Sequence, residues 1–294
     1  MSQLNISREH IDALETASNT AERIRIYKEI LKQSHQQQRQ QFEQGVSAAT
    51  LARLRADNID GVLKHAWQDL VTQEQIDQVP SLIAVGGYGR AELHPGSDID
   101  IMLLLPTNDD SPWQESLTNF LTLLWDIGLE VGQSVRSIAD CIEQAQADIT
   151  VATNLMEARL LFGSKNLFDR MRTETDHQHI WPSREFFAAK WEEQIERHNK
   201  FDDTAYKLEP NIKEGPGGLR DIQMIGWVAK RHFGADTLRD LIKHDFLTEE
   251  EYQILTENQD FLWRIRFALH FLTKRREDRL LFDYQRDIAE QLGF

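Results

Sequence analysis

Asp98 and Asp100 flank Ile99 at the start of an apolar run, Ile99 to Leu105, that Pro106 closes. In an extended chain alternate side chains leave on opposite faces, so both carboxylates point one way and Ile99 the other. Two like charges held together repel each other unless a cation lies between them. Hard oxygen donors on one face suit Mg²⁺, which keeps some waters and takes further oxygens from substrate phosphates. Upstream, Leu82-Ile83-Ala84-Val85 is a short β-prone run that stops at Gly86-Gly87. Without Cβ atoms these glycines let backbone N–H groups approach an anion, so a triphosphate fits between the glycine turn and the metal-bearing acids.

An isolated Asp-x-Asp is also what a turn or a solvated strand end looks like. The reading as a site rests on the order strand, Gly-Gly, loop, Asp-Ile-Asp, strand. Two rival phosphate motifs fail. A dinucleotide fingerprint needs a third glycine and a crossover helix, whereas Gly87-Tyr88-Gly89 is followed by Glu92 and soon by another strand. A Walker loop needs Gly-Lys-Ser/Thr, but Ser97 and Asp98 follow Gly96.

The elements that must position these residues are legible in the periodicity. Thr20 caps a predicted helix in which Ile24, Tyr27 and Leu31 recur, running to about Phe42; the glutamine-rich Gln36 to Gln41 belongs to its exposed side. After Gly45, Leu51, Leu54, Leu63, Ala66, Trp67 and Leu70 predict a second helix that packs beside the sheet. Beyond Pro106 a polar turn leads to a helix from Trp113 to Ile127, then a strand over Leu129 to Arg136. Helices are predicted over 139–146, 150–162 and 185–201. Glu209 to Gly218, with two prolines and three glycines, interrupts them before a helix restarts at Leu219, with Leu219, Ile222, Gly226, Ala229 and Phe233 on its inner face. The organisation read from this is a helical leader at 1–79, a core at 80–139 and an α-helical domain at 140–294.

With 294 residues and 40% hydrophobic content the chain can bury a sizeable core, and no apolar run is long enough to cross a membrane. The N-terminal stretch has neither a basic leader nor an apolar centre, so it is no secretory signal. A single cysteine, Cys141, excludes an intramolecular disulfide and fits a reducing cytoplasm. The net charge of −15 argues against nucleic acid as partner, because phosphate neutralisation by Lys and Arg supplies most non-specific affinity. Lys230-Arg231 and Lys274-Arg275-Arg276 have two readings, a local basic cleft that holds a nucleotide or, favoured, solvated helix faces; the spaced His177 and His179, with no third ligand nearby, read as a solvated loop.

The stretch GGYGRAELHPGSDIDIMLLL, followed far downstream by NIKEGPGGLRDIQMIGWVAKRHFG and WRIRFALHFL…DRLLFD, resembles the bifunctional uridylyltransferase/uridylyl-removing enzymes of bacterial nitrogen control, in the polymerase β-like nucleotidyltransferase superfamily. The likeness runs from about Ile76 to the C-terminus. It implies an α+β fold, a small mixed sheet with helices followed by an all-α domain. It also implies transfer of UMP from UTP to a tyrosine hydroxyl of the PII protein with release of pyrophosphate. Asp98 and Asp100 would then hold two Mg²⁺ ions, and Gly86, Gly87 and Ser97 would grip phosphate oxygens. Arg90 has two readings, stabilising developing charge or pinning the loop to Glu92 or an aspartate. Superfamily members usually carry a third carboxylate on the strand after the helix. Glu130 is the only acid there, but it lies at the strand's start, and a mid-strand acid is replaced by Gly132 or Ser134, so the third acid stays open. Lys213 and Arg220, in the second signature, are implied triphosphate contacts. The family's hydrolytic and glutamine-sensing parts are not in this stretch, so uridylyl removal is expected to be missing. An adenylyltransferase acting on glutamine synthetase shares both motifs, and a non-catalytic nucleotide-binding module is the rival from another class.

Overall fold

A computed structural model describes residues 6–71, 79–176, 179–235 and 237–294. Ile76, His177 and the first five residues of the leader lie outside them. The chain forms two units: the first runs to Asp176 apart from residues 47–49 and 94–96, which belong with residues 177–294 to the second.

In the first unit, α1 (Arg8–Thr16), α2 (Thr20–Glu43) and, after its first two residues, α3 (Ala48–Leu70) make the leader. The cap of α2 is Asn19, not Thr20: its side chain accepts from the Glu22 amide at 2.9 Å, leaving Thr20 inside the first turn. Next come β1 (Ser81–Ala84), the one-turn α4 (Gly86–Gly89), β2 (Ile99–Leu104), α5 (Gln114–Asp126) and β3 (Val131–Arg136). They are followed by α6 (Ile138–Ala147), α7 (Ile149–Met156), β4 (Arg159–Phe162) and α8 (Lys165–Glu174). The strands lie in the order β3-β2-β1-β4, with β1 antiparallel to β2 and β4, and β2 parallel to β3. Parallel neighbours need a crossover, and α5 supplies it. The result is the small mixed sheet with helices that the resemblance implies.

Residues 159–162 are a correction. The helix expected over 150–162 stops at Met156, and Arg159-Leu160-Leu161-Phe162 pairs with β1 instead. A short apolar run fits either period, and here an unpaired edge of β1 decides for strand.

One face of the sheet buries Leu82, Ile101 and Leu103 with Tyr27, Leu63, Trp67, Phe120 and Leu124 of α2, α3 and α5. Trp67 and Phe120 meet edge to face, 5.0 Å between centroids. On the other face Cys141 of α6 sits 3.7 Å from Met102, and burial pushes its thiol up to about 12, so it is an unreactive core residue.

A polar clamp ties the glycine turn to this frame. Asp60 of α3 is buried, accepts from the Tyr88 hydroxyl at 2.7 Å and pairs with both terminal nitrogens of Arg159. Arg159 also donates to the carbonyls of Tyr88 (3.2 Å) and Gly89 (3.3 Å). Gly89 has no room for a side chain, since a Cβ there would overlap the Glu157 carbonyl.

The second unit is helical: α9 (Ser183–Asn199), α10 (Leu219–Phe233), α11 (Asp240–Lys243), α12 (Glu249–Thr273) and α13 (Phe282–Leu292). The Pro/Gly-rich segment before α10 is an ordered knot rather than a loose linker. Asn211 accepts from the amides of Lys213 and Glu214, Leu219 N–H donates to the Ile212 carbonyl, and a Cβ on Gly218 would meet three backbone oxygens within 3.0 Å. Backbone bonds from Ile212 to Asp278 and from Leu280 to Pro210 join this knot to the segment after α12. Arg231, expected on a solvated face, is buried with its guanidinium 4.9 Å above the Phe186 ring; α10 packs against α9 and turns that side inward. His179 is exposed.

At the centre of this unit, His270 accepts from the Gly96 amide through Nδ1 (3.0 Å), so its proton is on Nε2, which donates to Asp278 at 3.2 Å. Arg266 donates to the same Asp278 oxygen at 2.7 Å, and His94 packs on Trp263 and Phe267. Burial and the Arg266 charge hold His94 well below its usual 6.5, and burial lowers His270 too. Burial opposes the ionisation of Asp278, but His270 and Arg266 outweigh it and depress its pKa.

Two measurements follow. Removing Asp60 leaves Arg159 and the Tyr88 hydroxyl without their carboxylate, so Asp60→Ala should cost about 3 kcal/mol in urea unfolding; a loss under about 1 kcal/mol would contradict the clamp. For the second unit, a histidine with a folded pKa below its unfolded value stabilises the fold above the unfolded value and loses that contribution as pH falls through it. The depressed Asp278 acts in the same direction at lower pH. The unfolding midpoint, followed by tryptophan fluorescence, should therefore fall between pH 7.5 and 5; a flat midpoint would show that the histidines are not buried neutral.

Candidate active site

Strand β2 positions the acids as the alternation predicts. Ile99 is buried, while Asp98, just before the strand, and Asp100, within it, are half-buried on the opposite face. The Asp100 carbonyl accepts from the Val85 amide at 3.0 Å, fixing it beside the end of β1. Its partner in register on β3 is Gly132.

The Asp100 carboxylate lies between two glycines. A Cβ on Gly86, whose φ of +57° is in the left-handed region, would stand 3.4 Å from Asp100 Oδ2. A Cβ on Gly132 would overlap Asp100 Oδ1. The carboxylate can keep this orientation because neither neighbouring strand end carries a side chain here, which also explains why the mid-strand position holds no acid. Asn154 of α7 reaches the same place, its Oδ1 3.5 Å from the Gly86 Cβ position.

Beside the acids opens a cleft of about 590 Å³ lined by Asp98, Asp100, Trp125, Gly128, Leu129, Glu130, Val131 and Gly132. Glu130 is exposed, and its carbonyl accepts from the Ile99 amide at 2.9 Å. It shares the cleft with the two aspartates, yet among the described residues no three of His, Cys, Asp and Glu converge into a metal-holding group. Asp98 and Asp100 are the carboxylates that β2 sets on one face here.

Gly87 lies in the first turn of α4, and Ser97 directly precedes Asp98. Arg90, which caps α4, donates to Glu92 at 2.7 Å and lies 3.5 Å from Glu157, so it pins the loop. Lys213 and Arg220 belong to the second unit. Arg220 makes a two-pronged pair with Glu214 (3.0 and 3.3 Å), donates to Gln223 and lies over Trp227. Burial, helped by Arg266, lowers Lys213 to about 8. Trp125, Asn154 and the Asp60–Arg159 clamp escape sequence reasoning. Only Gly132 carried a signal, as an isolated glycine inside a strand pattern.

What the arrangement can do is hold a hard cation against two carboxylates while offering two separate approaches to it, one from the glycine turn and one from the cleft. Comparison with known proteins agrees with this chemistry. The family described as putative nucleotidyltransferase DUF294 matches residues 32–133, which include the glycine turn, both aspartates and Glu130. The family described as GlnD PII-uridylyltransferase matches residues 185–294. Proteins named bifunctional uridylyltransferase/uridylyl-removing enzyme are similar over most of the chain. The protein of Nitrosococcus oceani is 52% identical over 269 residues, covering 92% of this chain and 30% of its own length. That of Pseudomonas fluorescens is 51% identical over 271 residues, with the same coverage of each, and that of Azotobacter vinelandii 51% identical over 268 residues, 91% of this chain and 30% of its own. The chain spans about 30% of the length of these relatives, and within that stretch it belongs to the family of bifunctional uridylyltransferase/uridylyl-removing enzymes.

Proposed function

We propose that this chain transfers UMP from UTP to a tyrosine hydroxyl of a PII nitrogen-regulatory protein, with release of pyrophosphate. The observation that carries the reaction type is the Asp98–Asp100 pair on one strand face, with Asp100 held between Gly86 and Gly132 at the edge of an open cleft. Base and acceptor rest on the names of the relatives, which specify uridylyl transfer, and on the GlnD PII-uridylyltransferase match.

Two carboxylates on one face of an open cleft fit Mg²⁺, which arrives with water and with the oxygens of its nucleotide. Asp98 and Asp100 would hold it, as one ion or two. When bound, it would lower the pKa of the acceptor hydroxyl and neutralise charge on the triphosphate. The chain's own residues then have separate tasks. Amides of the first turn of α4, at Gly86 and Gly87, and the Ser97 hydroxyl hold phosphate oxygens. Arg90, fixed by Glu92 and Glu157, keeps that turn in place. The acceptor oxygen attacks the α-phosphorus, the bond to pyrophosphate breaks, and Glu130 on the cleft wall takes the hydroxyl proton. No described helix is long and apolar enough to cross a membrane.

The reaction is tested by incubating the chain with Mg²⁺, purified PII and each nucleoside triphosphate in turn, and weighing PII by intact-mass spectrometry. A gain of one UMP with UTP alone is the expected result. A gain with ATP alone, or transfer only to glutamine synthetase, would overturn the base and acceptor. Asp98→Asn and Asp100→Asn should each lower turnover at least 10²-fold with no loss of thermal midpoint, because removing one of two like charges relieves repulsion. Unchanged turnover in either would end the assignment. Gly132→Ala forces the Asp100 carboxylate to turn, and should lower kcat by roughly 10- to 100-fold while the protein stays folded; wild-type kcat would show that the glycine does not hold Asp100 in its working orientation.

A further inference from the structure

We propose that Trp125 and Leu129 form the acceptor subsite, a wall that takes the flat ring of a phenolic side chain and directs its hydroxyl toward Asp100. The proposal rests on the nucleotidyl-transfer reading and deepens it. In an in-line displacement the attacking and leaving oxygens lie on opposite sides of the phosphorus. Asp100 has two sides, with Oδ2 toward Gly86 and Oδ1 toward Gly132. Amides at the glycine turn suit the phosphate groups, so pyrophosphate leaves on the Gly86 side and the acceptor enters on the Gly132 side.

That side is the cleft, and its chemistry is selective. Its lining holds three carboxylates, Asp98, Asp100 and Glu130, and no cation. With Asp98 and Asp100 given over to a cation, Glu130 is the charge left on this wall, and it disfavours a phosphate group more than a neutral acceptor. The remaining lining is apolar and includes Trp125, Leu129 and Val131. Trp125 is 54% exposed, although Phe120, Leu121 and Leu124 of the same helix are buried. An exposed indole on the wall of a cleft that also holds acids is a stacking partner for a ring with a polar tip. A phenol has both parts, whereas a serine or threonine hydroxyl has no ring to place on the wall. β3 is an edge strand, so no further strand of the sheet closes this approach.

The test is a titration of the intact chain with N-acetyltyrosinamide, N-acetylserinamide and uridine, read at the indole N–H signal of Trp125, which Trp125→Phe identifies by its loss. A saturable shift with the tyrosine amide and none with the other two is expected. A shift with uridine alone would assign the wall to the base and overturn the proposal, as would no shift with any probe. In transfer kinetics Trp125→Ala should raise KM for PII about tenfold with KM for UTP unmoved, and Trp125→Phe should restore most of the loss. An unchanged KM for PII, or a rise confined to UTP, would overturn the subsite. A chain that takes the tyrosine amide but transfers no nucleotide supports the phenol subsite and ends the transfer reading; a chain that transfers UMP with no tyrosine-dependent shift ends the subsite alone.

Discussion

Everything at the candidate site depends on room for one carboxylate. Asp100 lies on a middle strand, where a side chain normally meets side chains from both neighbours. Here it meets Gly86 on one side and Gly132 on the other. The two glycines differ in what they contribute. Gly132 is in ordinary extended backbone and matters only for the missing Cβ. Gly86 also adopts a left-handed φ, which bends the chain sharply from β1 into α4 and sets the glycine turn beside the acid. One residue pair thus provides the space, and another clamp, Asp60 with Arg159 and Tyr88, holds the turn that lines it.

The second unit extends what the Asp60 clamp does in the first: polar groups are brought inside and satisfied by each other. Asp278 receives Arg266 and the Nε2 proton of His270, and Asp221 receives Arg197, His198 and the Gly217 amide. Arg220 and Lys213, the implied phosphate contacts, lie in this lattice, and Arg220 already has a carboxylate, an amide oxygen and an indole face. Moving Arg220 would leave the half-buried Glu214 with Lys213, 3.8 Å away, as its remaining cation.

The sequence was legible wherever a pattern was local. Alternation placed Asp98 and Asp100 on one face, helical periodicity found α2, α3, α5 and α10, and two motifs in order carried the family. It failed where the deciding partner is distant. Nothing near Arg159 says that β1 has an open edge, so Arg-Leu-Leu-Phe read as the end of a helix. Nothing near Arg231 says that Phe186 lies beneath it, so the pair Lys230-Arg231 read as solvated. Glu130 was ambiguous because a third acid is defined by a position in space, and the register of β3 against β2 puts Gly132, not an acid, opposite Asp100. Trp125 gave no signal because an aromatic on an amphipathic helix normally belongs to the core, and only the structure shows it outside.

The clamp on the glycine turn also sets an order of assembly. Asp60 and Arg159 are 99 residues apart in the chain, and Arg90 and Glu157 are 67 apart. Contacts of such long range are entropically costly and form slowly compared with local ones. A nascent chain emerging from the ribosome would therefore carry both aspartates and the parallel β2–β3 pair well before β4 arrives. Until then its glycine turn would have the Tyr88–Asp60 and Arg90–Glu92 bonds but lack Arg159 and Glu157, and it would become fully rigid late in the synthesis of the first unit.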